Sequence, residues 1–193
     1  MDTGEATANE DEPDAVEVVL GQHEHVRALF ARLGVAGVQD RQETFDDLLR
    51  LLAVHETAEE EVIYPALRRI AGGEEIAKAR TDEEDAAKRA LSDLERLGVD
   101  GKDFDRRLLA FRDMVLSHVE SEEQEALPLL RAHLEPERLR QMATGFLTAE
   151  AMAPTHPHRH APESATGNLL TGPFLAMVDR VRDALRGFTK GRA

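Results

Sequence analysis

The sequence predicts an all-α protein, an antiparallel up-down four-helix bundle with a C-terminal helical extension. Three observations predict it. Apolar residues recur at alternating spacings of three and four along several long segments, which marks one face of a helix. The connections between those segments are short, so consecutive helices must run antiparallel. The apolar material is mainly Leu, Ala and Val, with seven Phe, one Tyr and no Trp, a mixture that favours helix over sheet. A chain of 193 residues suffices for one domain with a sizeable core.

The first helix is expected from about Pro13 to Val35, with Pro in the first turn and Gly34 and Gly37 ending the pattern. Its stripe is Val16, Val19, His23, Val26, Phe30 and Leu33. The second is expected over residues 40–71, closed by Gly72-Gly73, with the stripe Phe45, Leu48, Leu52, His55, Glu59, Val62 and Ala66. The third covers residues 74–97 before Gly98, with the weaker stripe Ala77, Arg80, Glu84, Ala87, Leu91 and Leu94. The fourth covers residues 103–133, with the stripe Phe104, Leu108, Phe111, Val115, His118, Glu122 and Leu129. These helices define a bundle over residues 13–134, after a disordered acidic tail at 1–12. Residues 135–193 form the extension: a short helix at 135–150, a Pro- and His-rich loop from Ala153 to Asn168, and a last helix from Pro173 to about Arg186. No segment reads as a strand.

Charge and composition exclude several functions. The formal charge is -14, from 38 acids and 24 bases, which argues against general binding to nucleic acid or anionic membranes. Asp2, Glu5, Glu10, Asp11, Glu12 and Asp14 crowd the N-terminus without a base, as in a solvated tail. The absence of Cys removes disulfides, thiolate catalysis and cysteine-ligated metal sites, so any metal must be held by His and carboxylates. No basic region leads an apolar run at the N-terminus and no stretch of 18 apolar residues occurs, so a soluble, cytoplasmic protein is expected.

Two segments repeat one chemical pattern. His55 is followed by Glu59 and Pro65, and His118 by Glu122 and Pro128, with identical spacings. Positions i and i+4 share a helix face, so each segment aims one imidazole and one carboxylate the same way. Together with His23 these residues occupy core positions of their stripes. Buried carboxylates that face each other must be protonated or neutralised. A metal pair neutralises them and satisfies the imidazoles; the bland alternative is a polar core of hydrogen-bonded His–Glu pairs. His25 is rotated about 200° from His23 at roughly 100° per residue and belongs on the surface. Pro65 and Pro128 lie inside their helices, where each removes a backbone hydrogen bond; the expected consequence is a kink that wraps the helix around the core.

The third helix contains no His. Its segment Thr81-Asp82-Glu83-Glu84-Asp85 offers only acids. Glu84 precedes Leu91 by seven and Leu94 by ten, as His23 precedes Phe30 and Leu33, which selects Glu84. Asp85 ranks second because it would bring Lys88 and Ser92 into the core; Glu83 is a further alternative. By donor chemistry alone, zinc, manganese and iron all suit such a site.

This arrangement resembles the hemerythrin-like HHE cation-binding domain family. The resemblance rests on His23 on the first helix, His55-x-x-x-Glu59 on the second, His118-x-x-x-Glu122 on the fourth, and the Glu-Glu-x-x-x-Tyr-Pro and Glu-Glu-x-x-x-Leu-Pro runs that follow. It covers about residues 14–133. Glu84 or Asp85 stands where the family has a His, and the Ala-Pro-Thr-His-Pro-His stretch resembles an extension of actinobacterial members. The resemblance implies a di-iron centre, two Fe ions with an oxo or hydroxo bridge, held by His23, His55, Glu59, Glu84, His118 and Glu122, with no catalytic group beyond these ligands. It implies O2, peroxide or nitric oxide as small ligands. Such a protein is either a redox enzyme of catalase-like or nitric-oxide-linked type, or a sensor or oxygen store without turnover. Oxygen carriers of the family use five His; three His with three carboxylates favour ferric iron, and hence redox turnover over reversible carriage.

His156, His158 and His160 alternate around Pro157. A His-rich tract can bind metal, but extended geometry at Pro157 separates the rings, so a linker is the expected role.

Overall fold

The structure, a computed structural model, describes residues 12–35 and 37–153. Within them the chain forms five helical elements and no strand. Helix α1 is Ala15–Val35. Helix α2 is composite: Val38–Ala58, a π-helical turn Glu59–Ile63, and Tyr64–Leu67. Helix α3 is Gly73–Leu97. Helix α4 repeats the composition of α2, with Phe104–Ser121, a π-helical turn Glu122–Ala126, and Leu127–His133. Helix α5, Pro136–Met152, is the first helix of the extension and packs against α1 and α2. The acidic tail, the His156–His160 tract and the last predicted helix lie outside the described residues. No helix among the described residues is long and apolar enough to cross a membrane.

Local chemistry sets the boundaries. Helix α1 begins with a reciprocal cap: Glu17 N–H donates to Asp14 Oδ1 at 2.9 Å, and Asp14 N–H donates to Glu17 Oε2 at 3.0 Å. Asp14 therefore caps the helix, one residue beyond the Pro13 read as its start. Helix α2 stops at Leu67, earlier than the glycines suggested. Gly72 has φ 81°, a left-handed conformation that glycine adopts without a Cβ penalty. At Gly73 a Cβ would meet the Leu67 carbonyl oxygen at 2.0 Å, so the pair is needed to turn the chain into α3.

The prolines act through the π-helical turns. Tyr64 N–H donates to Glu59 O and Leu127 N–H donates to Glu122 O, each a bond spanning five residues. Pro65 and Pro128 are the next residues in each case. The missing N–H thus falls where the register returns to α, and the wider turn makes room for the ring. The expectation of kinks that merely wrap the core gives way to local widening that starts at the two glutamates.

This widening shifts the buried face by one residue. A constant α period places Ala66 and Leu129 in the stripe, whereas both are only half-buried. Leu67 and Leu130 take their places, each with 0% exposure. Upstream of the turns the stripes agree with the sequence pattern, apart from His118, which is slightly open.

The core falls into two apolar parts. One gathers Val16 and Val19 of α1, Val62 to Leu67 of α2, Ala77 of α3, Ala126 to Leu130 of α4, and Leu139, Met142 and Phe146 of α5. The other gathers Val26 to Leu33, Phe45 to Leu52, Ala87 to Leu94, and Phe104 to Val119. Every helix of the four-helix bundle passes from one part to the other. His23, His55, Glu59, Glu84 and Glu122 are buried at that crossing, a polar layer between two hydrophobic ones.

Candidate metal centre

The polar layer brings all six sequence-predicted residues together. His23, His55, Glu59 and Glu122 form one group, and Glu59, Glu84 and His118 form another, with donor atoms in each group within 4.8 Å of one another. Glu59 belongs to both. Glu122 Oε2 lies 3.3 Å from His23 Nε2 and 3.9 Å from His118 Nε2, so its carboxylate also faces both groups. On α3 it is Glu84 that enters the layer; Asp85 is exposed, and Glu83 turns to His118 from outside. His25 is on the surface, as its helical phase requires.

Each imidazole presents Nε2 to the layer and is held at Nδ1 from behind. His23 Nδ1 is 3.0 Å from Glu123 Oε1, and Arg27 donates two hydrogen bonds to that carboxylate at 3.0 and 2.9 Å. His118 Nδ1 is 3.0 Å from Glu83 Oε2, and Arg80 donates to Glu83 at 2.8 Å. His55 Nδ1 is 2.6 Å from Gln22 Oε1. Carboxylates and amide oxygens accept, so each Nδ1 donates and Nε2 is the nitrogen left to face inward. Outer partners of this kind orient histidine ligands at metal sites.

The inward atoms lack hydrogen bonds. Three imidazole nitrogens (Nε2 of His23, His55 and His118) and five carboxylate oxygens (both of Glu59, both of Glu122, and Oε2 of Glu84) are buried without one. An unpaired buried carboxylate costs several kcal/mol, and these carboxylates lie together. Burial, followed by the charges of Glu122 and Glu84, pushes Glu59 far above the usual carboxylate range. Burial also raises Glu84, helped by Glu56 and Glu60 and opposed by Tyr64 and Lys88. Burial acts upward on Glu122 too, but His23, His118 and Glu59 outweigh it and hold Glu122 down. Burial and then His23 push His55 down to about 3, so its imidazole is neutral, as ligation requires. Cations held in the two groups would give partners to these eight inward atoms. The donor set is nitrogen and carboxylate oxygen without thiolate, which suits iron, manganese or zinc.

Several contributors escape a reading by stripes. Tyr64 is fully buried and donates its hydroxyl to Glu84 Oε1, anchoring the α3 carboxylate from α2. Lys88 sits outside Glu84, 3.6 Å from Glu84 Oε2, 3.7 Å from Glu56 Oε2 and 2.5 Å from Glu60 Oε1. A small cavity reaches the layer from the second apolar part, lined by His55, Glu56, Glu84 and His118 with Val26, Leu52, Ala87, Val115 and Val119. In the sequence Tyr64 is visible only as part of a Tyr-Pro pair, Glu123 only within the Glu-Glu run and Glu83 only as an alternative to Glu84, while Gln22 carries no signal beyond adjacency to His23.

A model of the Hemerythrin HHE cation binding domain family matches residues 14–130. The chain belongs to this family. A hemerythrin-like protein from Schizosaccharomyces pombe is 30% identical over 136 residues, 69% of this chain and 67% of that protein. A protein named DNA nickase from Nostoc is 32% identical over 136 residues, but the matched region spans only 38% of its length. The crystal structure of a hemerythrin HHE cation binding domain-containing protein from Mycobacterium kansasii superposes with a TM-score of 0.66 at 23% identity. That match covers 86% of this chain and 98% of the other, and shows the shared fold. On α3 of this HHE domain, Glu84 occupies the inward position.

Proposed function

We propose that this HHE protein is a cytoplasmic, non-haem di-iron protein that acts on peroxide, nitric oxide or O2 by iron redox chemistry. His23, His55, Glu59, Glu84, His118 and Glu122 would hold the two ions, with Glu59 shared. The supporting observation is the set of inward-facing, unbonded nitrogen and carboxylate atoms in two overlapping groups. Bound iron would supply one-electron changes and open coordination positions. The protein's own contribution is to hold the His55 imidazole neutral, to exclude water with an apolar layer on either side, and to leave a small, mostly apolar cavity beside His55, Glu84 and His118. That cavity suits a small, weakly polar ligand over an extended organic substrate.

Metal analysis of protein purified from iron-supplied cells tests the reading. About two irons per chain, with peroxide consumption or nitric oxide turnover by the loaded protein, is the expected result. A folded helical protein that takes up zinc or manganese in preference to iron, or no metal, overturns it. Iron-loaded protein that binds oxygen reversibly without consuming peroxide would leave the site standing and refute turnover.

A further inference from the structure

The hold on His55 differs from the other two and leads outside the family-matched residues. Gln22 sits between two partners: its Oε1 faces His55 Nδ1 at 2.6 Å, and its Nε2 donates to Glu150 Oε1 at 2.7 Å. Glu150 is on α5, beyond residues 14–130 that match the family. The same helix places Phe146 edge-on against the His55 ring, with centroids 6.1 Å apart.

This chain of contacts has a direction. Glu150 Oε1 accepts from the amide NH2 of Gln22, a bond that opposes the upward push of burial on this carboxyl. The Gln22 carbonyl then has to face His55. A carbonyl also only accepts, so His55 Nδ1 must carry the proton, which leaves the lone pair on Nε2, the nitrogen that makes no hydrogen bond and faces Glu59 Oε1 at 3.2 Å. An amide alone would not enforce this, because a flipped Gln22 would offer NH2 to Nδ1 and demand the opposite tautomer. His23 and His118 need no such relay, because Glu123 and Glu83 are themselves acceptors.

We propose that Glu150 is a positioning residue for the metal centre: acting through Gln22, it fixes the His55 tautomer, and thereby makes helix α5 a working part of the site. This rests on the reading of His55 as a metal ligand. The consequence is that α5 and the bundle are coupled: whatever displaces α5 releases the Gln22 amide and, with it, one ligand.

The test is charge inversion with rescue in the full chain. Glu150→Lys substitutes a donor for an acceptor, so Gln22 must turn its carbonyl outward and its NH2 toward His55. Long-range proton–nitrogen NMR of the metal-free protein should then show His55 switched from the Nδ1–H to the Nε2–H form. Iron affinity, read by chelator competition, should fall roughly 10–100-fold. Adding Gln22→Glu restores an acceptor facing Nδ1, paired with the new lysine, and should restore both tautomer and affinity. Glu150→Leu, which frees the amide without a charge clash, should show both tautomers if the lysine variant does not fold. His55 remaining Nδ1–H in the Glu150→Lys or Glu150→Leu protein overturns the proposal, as does a double variant that recovers folding but not the tautomer. Wild-type protein that binds no iron while its His55 tautomer follows Glu150 would sink the metal reading and leave the relay standing.

Discussion

His55 and His118 begin the same pattern, run into the same π-helical turn and lead to the same buried leucine position, yet their outer nitrogens are held by different chemistry. His118 leans on a carboxylate, Glu83, backed by Arg80. His55 leans on a neutral amide that takes its orientation from another helix. The residue before the proline differs as well: Leu127 is apolar packing, whereas Tyr64 delivers a hydroxyl to Glu84. Repeating a local motif repeats the backbone and the inward donors. It does not repeat the outer partners, because these come from whichever helices lie behind each copy, α1 and α5 in one case and α3 in the other.

The glutamates give the largest expected difference between the copies. Glu59 belongs to both donor groups, whereas Glu122 belongs to the first and reaches the second only through His118, at 3.9 Å. Glu59→Ala should abolish binding of both ions, whereas Glu122→Ala should remove the ion of the first group and only weaken the other; equal losses would mean that the two carboxylates serve alike. Glu84→Ala should also reduce the content to about one, while Asp85→Ala, at an exposed position, should change nothing. Metal analysis of the four purified variants decides this.

The shared register shift is tested by paired leucine and neighbour substitutions. Leu130→Ala should destabilise by about 2–5 kcal/mol, as full burial implies. Leu129→Ala should cost about 1 kcal/mol or less, since that side chain is half-exposed. The same ordering should hold for Leu67→Ala, measured by chemical denaturation of metal-free protein. A larger loss at position 129 than at 130 would mean that the helix keeps its α register.

The buried carboxylates make a pH prediction. Glu59 and Glu84 have raised pKa values when folded, and Glu56 is raised to about 7 by burial, so above pH 4.5 the folded protein holds protons that the unfolded chain has released. Stability therefore falls as pH rises. His55, lowered to about 3, opposes this only below its unfolded value of 6.5, and Glu122 opposes it only at more acidic pH. From pH 6.5 to 8.5 the metal-free protein should lose up to about 1.4 kcal/mol per pH unit for each carboxyl still protonated. Metal loading should flatten the slope. A metal-free profile that rises with pH contradicts the assignment.

The smallest effect separates Tyr64 from its counterpart Leu127. Tyr64→Phe removes the hydroxyl and leaves a buried Glu84 oxygen without a donor, which should cost the metal-free protein about 1–3 kcal/mol. The cost should shrink on metal loading, when the carboxylate gains another partner. An unchanged unfolding midpoint in the metal-free protein would show that the hydroxyl is dispensable.

Periodicity and the i, i+4 rule were enough to read four bundle helices, three inward imidazoles and the Glu59 and Glu122 carboxylates, because each depends only on residues within one helix. Heptad phase was enough to choose Glu84 over Asp85 for the same reason. The constant period failed after Glu59 and Glu122, where a five-residue hydrogen bond adds a residue to the turn and moves burial from Ala66 to Leu67 and from Leu129 to Leu130. A proline after the duplicated motif marks the place but not the register, since a kinked α-helix would carry the same residue.

What the sequence alone determined is the helical architecture and which nitrogen- and carboxylate-bearing side chains belong to the inward faces, because helix faces follow from spacing. What only the tertiary structure decided is how those donors are held. Glu150 lies 128 residues from Gln22, Glu123 lies 100 from His23, and Glu83 lies 35 from His118. Such partners meet because packing brings their helices together, and no local pattern encodes which polar residue will stand behind which imidazole.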